Sequence, residues 1–132
     1  MKDFTKKDIP NRRFSICWVK ECRYNPYVGV DPNKKRPVLV WINKHPAFRN
    51  NILAFYCSKS INVINPDYCV KLSKDKSRLN YDTYVWLTKP MCITPSDIIK
   101  TKHNRIDWIE INDEQEKKDI NDIVKEIYKA MF

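Results

Sequence analysis

The sequence predicts a small, mainly β domain of the α+β kind: a barrel of short antiparallel strands closed by one amphipathic C-terminal helix. Three observations predict it. Five runs of strand length, rich in aromatic and β-branched residues, follow one another with polar or proline-bearing breaks between them. The last twenty residues change to the 3.6-residue period of a helix. The chain has 132 residues, one domain's worth, with 42% hydrophobic and 31% charged residues, which places it among soluble globular proteins rather than disordered ones.

Residues 1–13, MKDFTKKDIPNRR, are polar and contain Pro10, and are expected to form a flexible arm ahead of a single domain over residues 14–132. FSICWVK (Phe14–Lys20) is the first strand. ECRYNPYVGVDPNKKR follows, and its Pro26, Gly29 and Pro32 mark a long excursion that is neither helix nor strand. PVLVWIN (Pro37–Asn43) is a continuous apolar run, expected to be buried on both faces. NILAFYC (Asn51–Cys57), YCVKL (Tyr68–Leu72) and TYVWLTK (Thr83–Lys89) are the next three strands, and Pro90 argues against continuing the last. A single helical turn is expected around Pro95–Lys100. From Asp113 the apolar positions Ile120, Ile123, Val124, Ile127, Tyr128 and Met131 form one stripe of a helix. Asn112 or Asp113 caps it, acids occupy its first turn, and Lys125 and Lys129 lie near its end, as the helix dipole favours.

Charge and composition narrow the function. The formal net charge is +9, but residues 1–106 hold 21 Lys/Arg against eight Asp/Glu, a net +13, while residues 107–132 hold four against eight, a net −4. A positive body of this kind concentrates a polyanion, and four Trp, seven Tyr and five Phe are available to stack on bases. The plainer reading is a lysine-rich surface that serves solubility. The single glycine, Gly29, excludes a glycine-rich phosphate loop. Cys17, Cys22, Cys57, Cys69 and Cys92 are odd in number and form no CxxC pair, so neither a disulfide framework nor a zinc ribbon is expected. No signal peptide and no run near the roughly 18 apolar residues of a membrane span is evident, so a reducing cytoplasm is the expected compartment.

Three segments, taken in order, carry a resemblance. Pro26-Tyr27-Val28-Gly29, six residues, then Arg36-Pro37 opening the strand Val38-Leu39-Val40, resembles the first signature of the MazF/PemK family of toxin endoribonucleases. The strand ending FYC-Ser58 is similar to the family's strand that ends in a hydroxyl residue. TYVWLTKPMCITPSDII followed by the terminal helix is similar to its closing segment. The likeness runs from about residue 14 to the end. Two positions depart from the pattern. The loop before Arg36 reads VDPNKK where the family carries glycines and a Glu-Gln pair, leaving Asp31 near the acidic position. Met91 or Cys92 stands where the family often has an Arg.

The resemblance implies an SH3-like barrel of the CcdB/PemK type and a toxin that cleaves single-stranded RNA without a metal or other cofactor. It further implies a homodimer, a cognate antitoxin as partner, and products ending in a 2′,3′-cyclic phosphate and a 5′-OH. Arg36 is then the phosphate-stabilising residue, because its planar fork of donors suits phosphate oxygens while its high pKa makes it a poor base. Ser58 is the second catalytic residue, donating from Oγ to a non-bridging oxygen, and Ser60, two residues on, competes for the role. Lys34, Lys35 and Lys59 are expected to hold the RNA backbone, and Tyr27 and Tyr56 to stack on bases. Trp41 lies in a run that reads as core. Asp31 either orients Arg36 or caps a turn. His45 and His103 raise a two-histidine ribonuclease mechanism, but both sit in polar loops beside lysines and read as surface residues. Two alternatives share the fold: a CcdB-like toxin that binds DNA gyrase and cleaves nothing, and a catalytically silent nucleic-acid-binding barrel.

Overall fold

The computed structural model describes residues 10–20, 34–59 and 66–130. Six antiparallel strands form a curled half-barrel: β1 (Ser15–Lys20), β2 (Lys35–Ile42), β3 (Ile52–Ser58), β4 (Cys69–Leu72), β5 (Thr83–Ile93) and β6 (Ile109–Glu110). They lie in the order β4-β5-β3-β2-β1-β6, and helix α1 (Glu114–Lys129) closes the chain. The five expected strands and the terminal helix are all present.

The sheet has an apolar core on each face. Alternation along β2 sends Leu39 and Trp41 to one side, where they meet Ile16, Phe55, Cys57, Val85 and Leu87. Helix α1 covers this side with Ile120 and Val124, packing against β4 and β5. Val38 and Val40 go to the other side with Cys17, Val19, Ile52, Ala54 and Ile93, beneath Ile98, Ile106 and Trp108 from the segment after β5. The run Val38–Trp41 is therefore buried on both faces, as its unbroken apolar character requires. Ile120 is fully buried, and truncating it to Ala would cost about 2–5 kcal/mol.

Helix α1 starts where Asp113 Oδ2 accepts from Glu116 N at 2.9 Å, so Asp113 rather than Asn112 is the cap. Glu116 is buried and turns its Oε2 to the backbone N–H of Ser73, at 2.7 Å, tying the helix start to the turn after β4. Its stripe buries Ile120 and Val124 and half-buries Ile123, Ile127 and Tyr128; Met131 lies outside the described residues.

Several strand limits differ from the sequence expectation by a few residues. β1 begins at Ser15 because Phe14 has φ 67°, a left-handed backbone that no strand accommodates. β2 begins at Lys35, so Lys35 and Arg36 belong to the strand and not to the loop before it. β5 runs through Pro90 to Ile93: Tyr56 pairs with Trp86 but Phe55 pairs with Pro90, leaving Leu87–Lys89 as a bulge. Pro90 sits beside that break in the ladder, where a missing N–H is tolerated. β6, only two residues long, pairs with β1 and was not expected. The turn expected at Pro95–Lys100 is a 3-10 turn over Pro95–Asp97, closed by reciprocal Thr94–Asp97 bonds.

Of the N-terminal segment, Pro10–Arg13 are tied to the barrel. Asn43 accepts from Arg12 N and donates to Pro10 O, both at 2.9 Å, and Arg13 Nε donates to Trp41 O at 2.8 Å with its guanidinium over the Trp41 ring.

Candidate functional site

The register of the central strands brings Arg36 and Ser58 together. Val38 pairs with Tyr56, Leu39 with Phe55 and Val40 with Ala54. Carried two residues further, the same antiparallel register sets Arg36 across from Ser58. Both are half-buried, and both line one cavity of about 200 Å³ at the end of the half-barrel. Lys35, Lys59, Trp18 and Tyr81 line it as well. Three cations and no carboxylate thus face this space, among the described residues that line it. The Lys59 ammonium stands 4.9 Å from the Tyr81 ring centre, and Tyr81 is 60% exposed, a flat apolar surface at the mouth.

A second cavity, of about 570 Å³, shares Trp18, Lys35 and Asn80 with the first and continues past Lys100 and Thr101. Arg78 also lines it but is engaged, 3.5 Å from Asp107 and donating to Trp108 O at 3.0 Å.

On the same sheet face as Ser58, opposite the helix, lies an aromatic cluster. Tyr56 and Trp86 are cross-strand partners with ring centres 5.3 Å apart and planes at 81°. Lys89, in the bulge, places its ammonium 4.7 Å from the Trp86 ring and 5.5 Å from Tyr56. Trp86 Nε1 donates to Ser58 Oγ at 3.2 Å. Because an indole only donates, this bond engages a lone pair of the hydroxyl and not its proton.

The expected site residues separate cleanly. Arg36, Ser58, Lys35 and Lys59 share the cavity; Lys34 is exposed one residue before it; Tyr56 sits in the aromatic cluster beside Ser58. Tyr27, Asp31 and Ser60 lie outside the described residues. Trp41 is core. His45 caps the turn Pro46–Phe48, its Nδ1 accepting from Ala47 N at 3.1 Å, and His103 lines a different cavity with Thr101 and Arg105. Neither histidine lines the Arg36–Ser58 cavity. Cys57 does, but burial pushes its thiol pKa well above the ordinary value, which keeps it from serving as a thiolate nucleophile. Among the described residues no group of three or more His, Cys, Asp or Glu is placed to hold a metal ion. None of the described helices is long and apolar enough to cross a membrane.

Sequence reasoning missed Trp86, Lys89, Tyr81 and Trp18. The signal for the first was present: in Thr83-Tyr84-Val85-Trp86-Leu87 the aliphatic residues take one face, so Tyr84 and Trp86 take the other.

No protein-family model matches the sequence, and no curated protein matches it. Among solved structures, the chain is similar to the Mycobacterium tuberculosis toxin MazF-mt6, with a TM-score of 0.55 at 14% identity over 86% of this chain and 95% of that one. It is also similar to an endoribonuclease in complex with its cognate antitoxin from a mycobacterial species, with a TM-score of 0.60 at 12% identity over 92% and 96%. The chain has the MazF-type toxin fold. At identities this low the likeness is one of fold, so what the MazF-type barrel does in this chain rests on its own residues. That fold brings β2 and β3 side by side, which is how residues 22 positions apart, Arg36 and Ser58, reach one cavity.

Proposed function

We propose that this protein is the toxin of a toxin–antitoxin pair: a sequence-selective endoribonuclease that cleaves single-stranded RNA without a metal ion. One observation carries the reading. In a MazF-type fold, Arg36 and Ser58 line one cavity whose described lining residues include three cations and no carboxylate.

The reaction is an internal transfer. The ribose 2′-OH gives up its proton to water and attacks the adjacent phosphorus, the P–O5′ bond breaks, the leaving O5′ takes up one proton in exchange, and the products carry a 2′,3′-cyclic phosphate and a 5′-OH. As the phosphorus becomes five-coordinate, negative charge grows on its non-bridging oxygens. Arg36 meets that charge with two parallel N–H donors, and Ser58 Oγ–H donates to one of the same oxygens. Arg36 is secondarily the proton donor to the leaving oxygen. Lys34, Lys35 and Lys59 hold flanking phosphates, and bases stack on Tyr56 and on the exposed Tyr81. The resemblance adds Tyr27, Asp31 and Ser60 to the proposed RNA-binding set, all three outside the described residues. The net +13 of residues 1–106 suits both RNA and an acidic antitoxin segment that would occlude the same groove. The active unit is a homodimer, and mRNA in a reducing cytoplasm is its substrate.

The test is a panel of labelled single-stranded RNA, duplex RNA and single-stranded DNA incubated with the protein in EDTA, with end-group analysis of any fragments. Cleavage confined to single-stranded RNA, with 5′-OH ends, supports the reading. Binding without cleavage would favour the silent barrel, and 5′-phosphate ends would refute the internal-transfer chemistry.

A further inference from the structure

Ser58 is held by its neighbour across the sheet. Trp86 Nε1 donates to Ser58 Oγ at 3.2 Å, diagonally across β3 and β5, since Trp86 pairs directly with Tyr56 and Ser58 with Tyr84. The Trp86 ring is itself fixed from two sides: Tyr56 meets it edge-on at 5.3 Å, and the Lys89 ammonium stands 4.7 Å from its centre. Leu87–Lys89 form the bulge in β5, and it is this departure from regular pairing that sets Lys89 over the ring.

From this arrangement we infer that Trp86 is a positioning residue that orients and polarises the Ser58 hydroxyl for donation to the scissile phosphate. A serine hydroxyl is a rotor whose proton can take several directions. An N–H donated into one lone pair narrows that choice and points the O–H away from the indole. The same bond strengthens the hydroxyl as a donor, because hydrogen bonds in a chain polarise one another. A cation over the ring draws electron density from it and makes the indole N–H a stronger donor in turn. The chain of influence runs from Lys89 to Trp86 to Ser58 and ends at the phosphate oxygen. No bond to carbon or phosphorus is made by Trp86, and no proton leaves it. This inference rests on the proposed nuclease reading and adds a residue to it.

The experiment is a double-mutant cycle on cleavage of a single-site RNA oligonucleotide under single-turnover conditions. Trp86→Phe keeps an aromatic ring against Tyr56 and Lys89 but removes the N–H. It is expected to lower the maximal rate about fivefold, the scale of one neutral hydrogen bond, with the half-saturating concentration changed less than twofold. In a Ser58→Ala background the same substitution is expected to change the maximal rate less than 1.5-fold, because the hydroxyl it acts through is gone. An equal loss in both backgrounds would show a merely structural role and overturn the inference, as would an unchanged rate in the wild-type background. A Trp86→Phe protein that fails to fold is replaced by one carrying a benzothiophene side chain at position 86, which keeps the bicyclic shape and lacks the N–H; the same outcomes apply. If the wild-type protein cuts no RNA, the nuclease reading fails and the inference with it. Cleavage that is indifferent to Trp86 sinks the inference alone.

Discussion

On the proposed function, replacing Arg36 with alanine should separate catalysis from folding. The side chain is half-buried at the start of β2, and the backbone there pairs with Val19 of β1, a pairing that a side-chain truncation leaves in place. The loss of stem packing should cost no more than about 1 kcal/mol, a fall in Tm of about 4 °C for a domain of this size. Binding should weaken only about threefold, because Lys35 and Lys59 remain as the other two cations lining the cavity. The chemical step is where the loss falls. A preorganised charged donor aimed at a developing oxyanion is worth about 3–4 kcal/mol, which slows cleavage a hundredfold or more. Lysine should recover little of this, since an ammonium cannot reproduce the two parallel bonds of the guanidinium. The assay is single-turnover cleavage of a labelled oligonucleotide by wild type, Arg36→Ala and Arg36→Lys, with circular dichroism to verify the fold. A folded Arg36→Ala protein that cuts within threefold of wild type would refute the assignment and return attention to His45 and His103.

Three further predictions follow from the described residues and the fold. Burial raises the pKa of Glu116 from its ordinary value, so the folded state binds this proton more tightly than the unfolded chain does. The contribution to stability is therefore fully present below about pH 4.3 and is lost as pH rises through the folded value. Glu116→Gln, which keeps an acceptor for Ser73 N, should be at least as stable as wild type at pH 7 by urea denaturation. Glu116→Ala, which leaves that N–H without its acceptor, should be less stable by about 1–3 kcal/mol, and a destabilised glutamine variant would contradict the account. Burial raises the Cys17 thiol to about 12 and the Cys57 thiol well up, whereas Cys92 is exposed; a thiol reagent at pH 7.5 with mass mapping should label Cys92 first and spare Cys17 and Cys57 until unfolding. Light scattering at micromolar concentration should give about twice the chain mass of 15.9 kDa, and a clean monomer would contradict the proposed dimer.

What was legible in the sequence follows from local pattern. Strand-length runs rich in aromatic and β-branched residues marked β1, β3, β4 and β5, the unbroken run Val38–Trp41 marked a strand buried on both faces, and the stripe from Ile120 marked α1. β6 was illegible because two residues carry no period of their own; Ile109 is a strand residue only because β1 offers it a partner. Pro90 misled because proline stops regular ladders, and the bulge that accommodates it depends on the pairing with β3. Within the site, Arg36 and Ser58 were found through a resemblance to a family and not through any local signal. Their placement across from one another is a property of register. Trp86 received no assignment of its own from the sequence; its place beside Ser58 depends on which face the strand turns to its neighbour, and on Lys89 arriving through the bulge.

We propose above that this barrel cuts RNA at chosen sites through Arg36. It is tested most directly by incubating a mixed RNA pool in EDTA with the wild-type protein and, in parallel, with Arg36→Ala, and mapping every new 5′ end. New 5′-OH ends at a recurring short sequence are expected with wild type, and a loss of those ends by about a hundredfold or more with Arg36→Ala. An intact pool, cuts that appear only when Mg²⁺ or Zn²⁺ is restored, or equal cutting by the two proteins would contradict it.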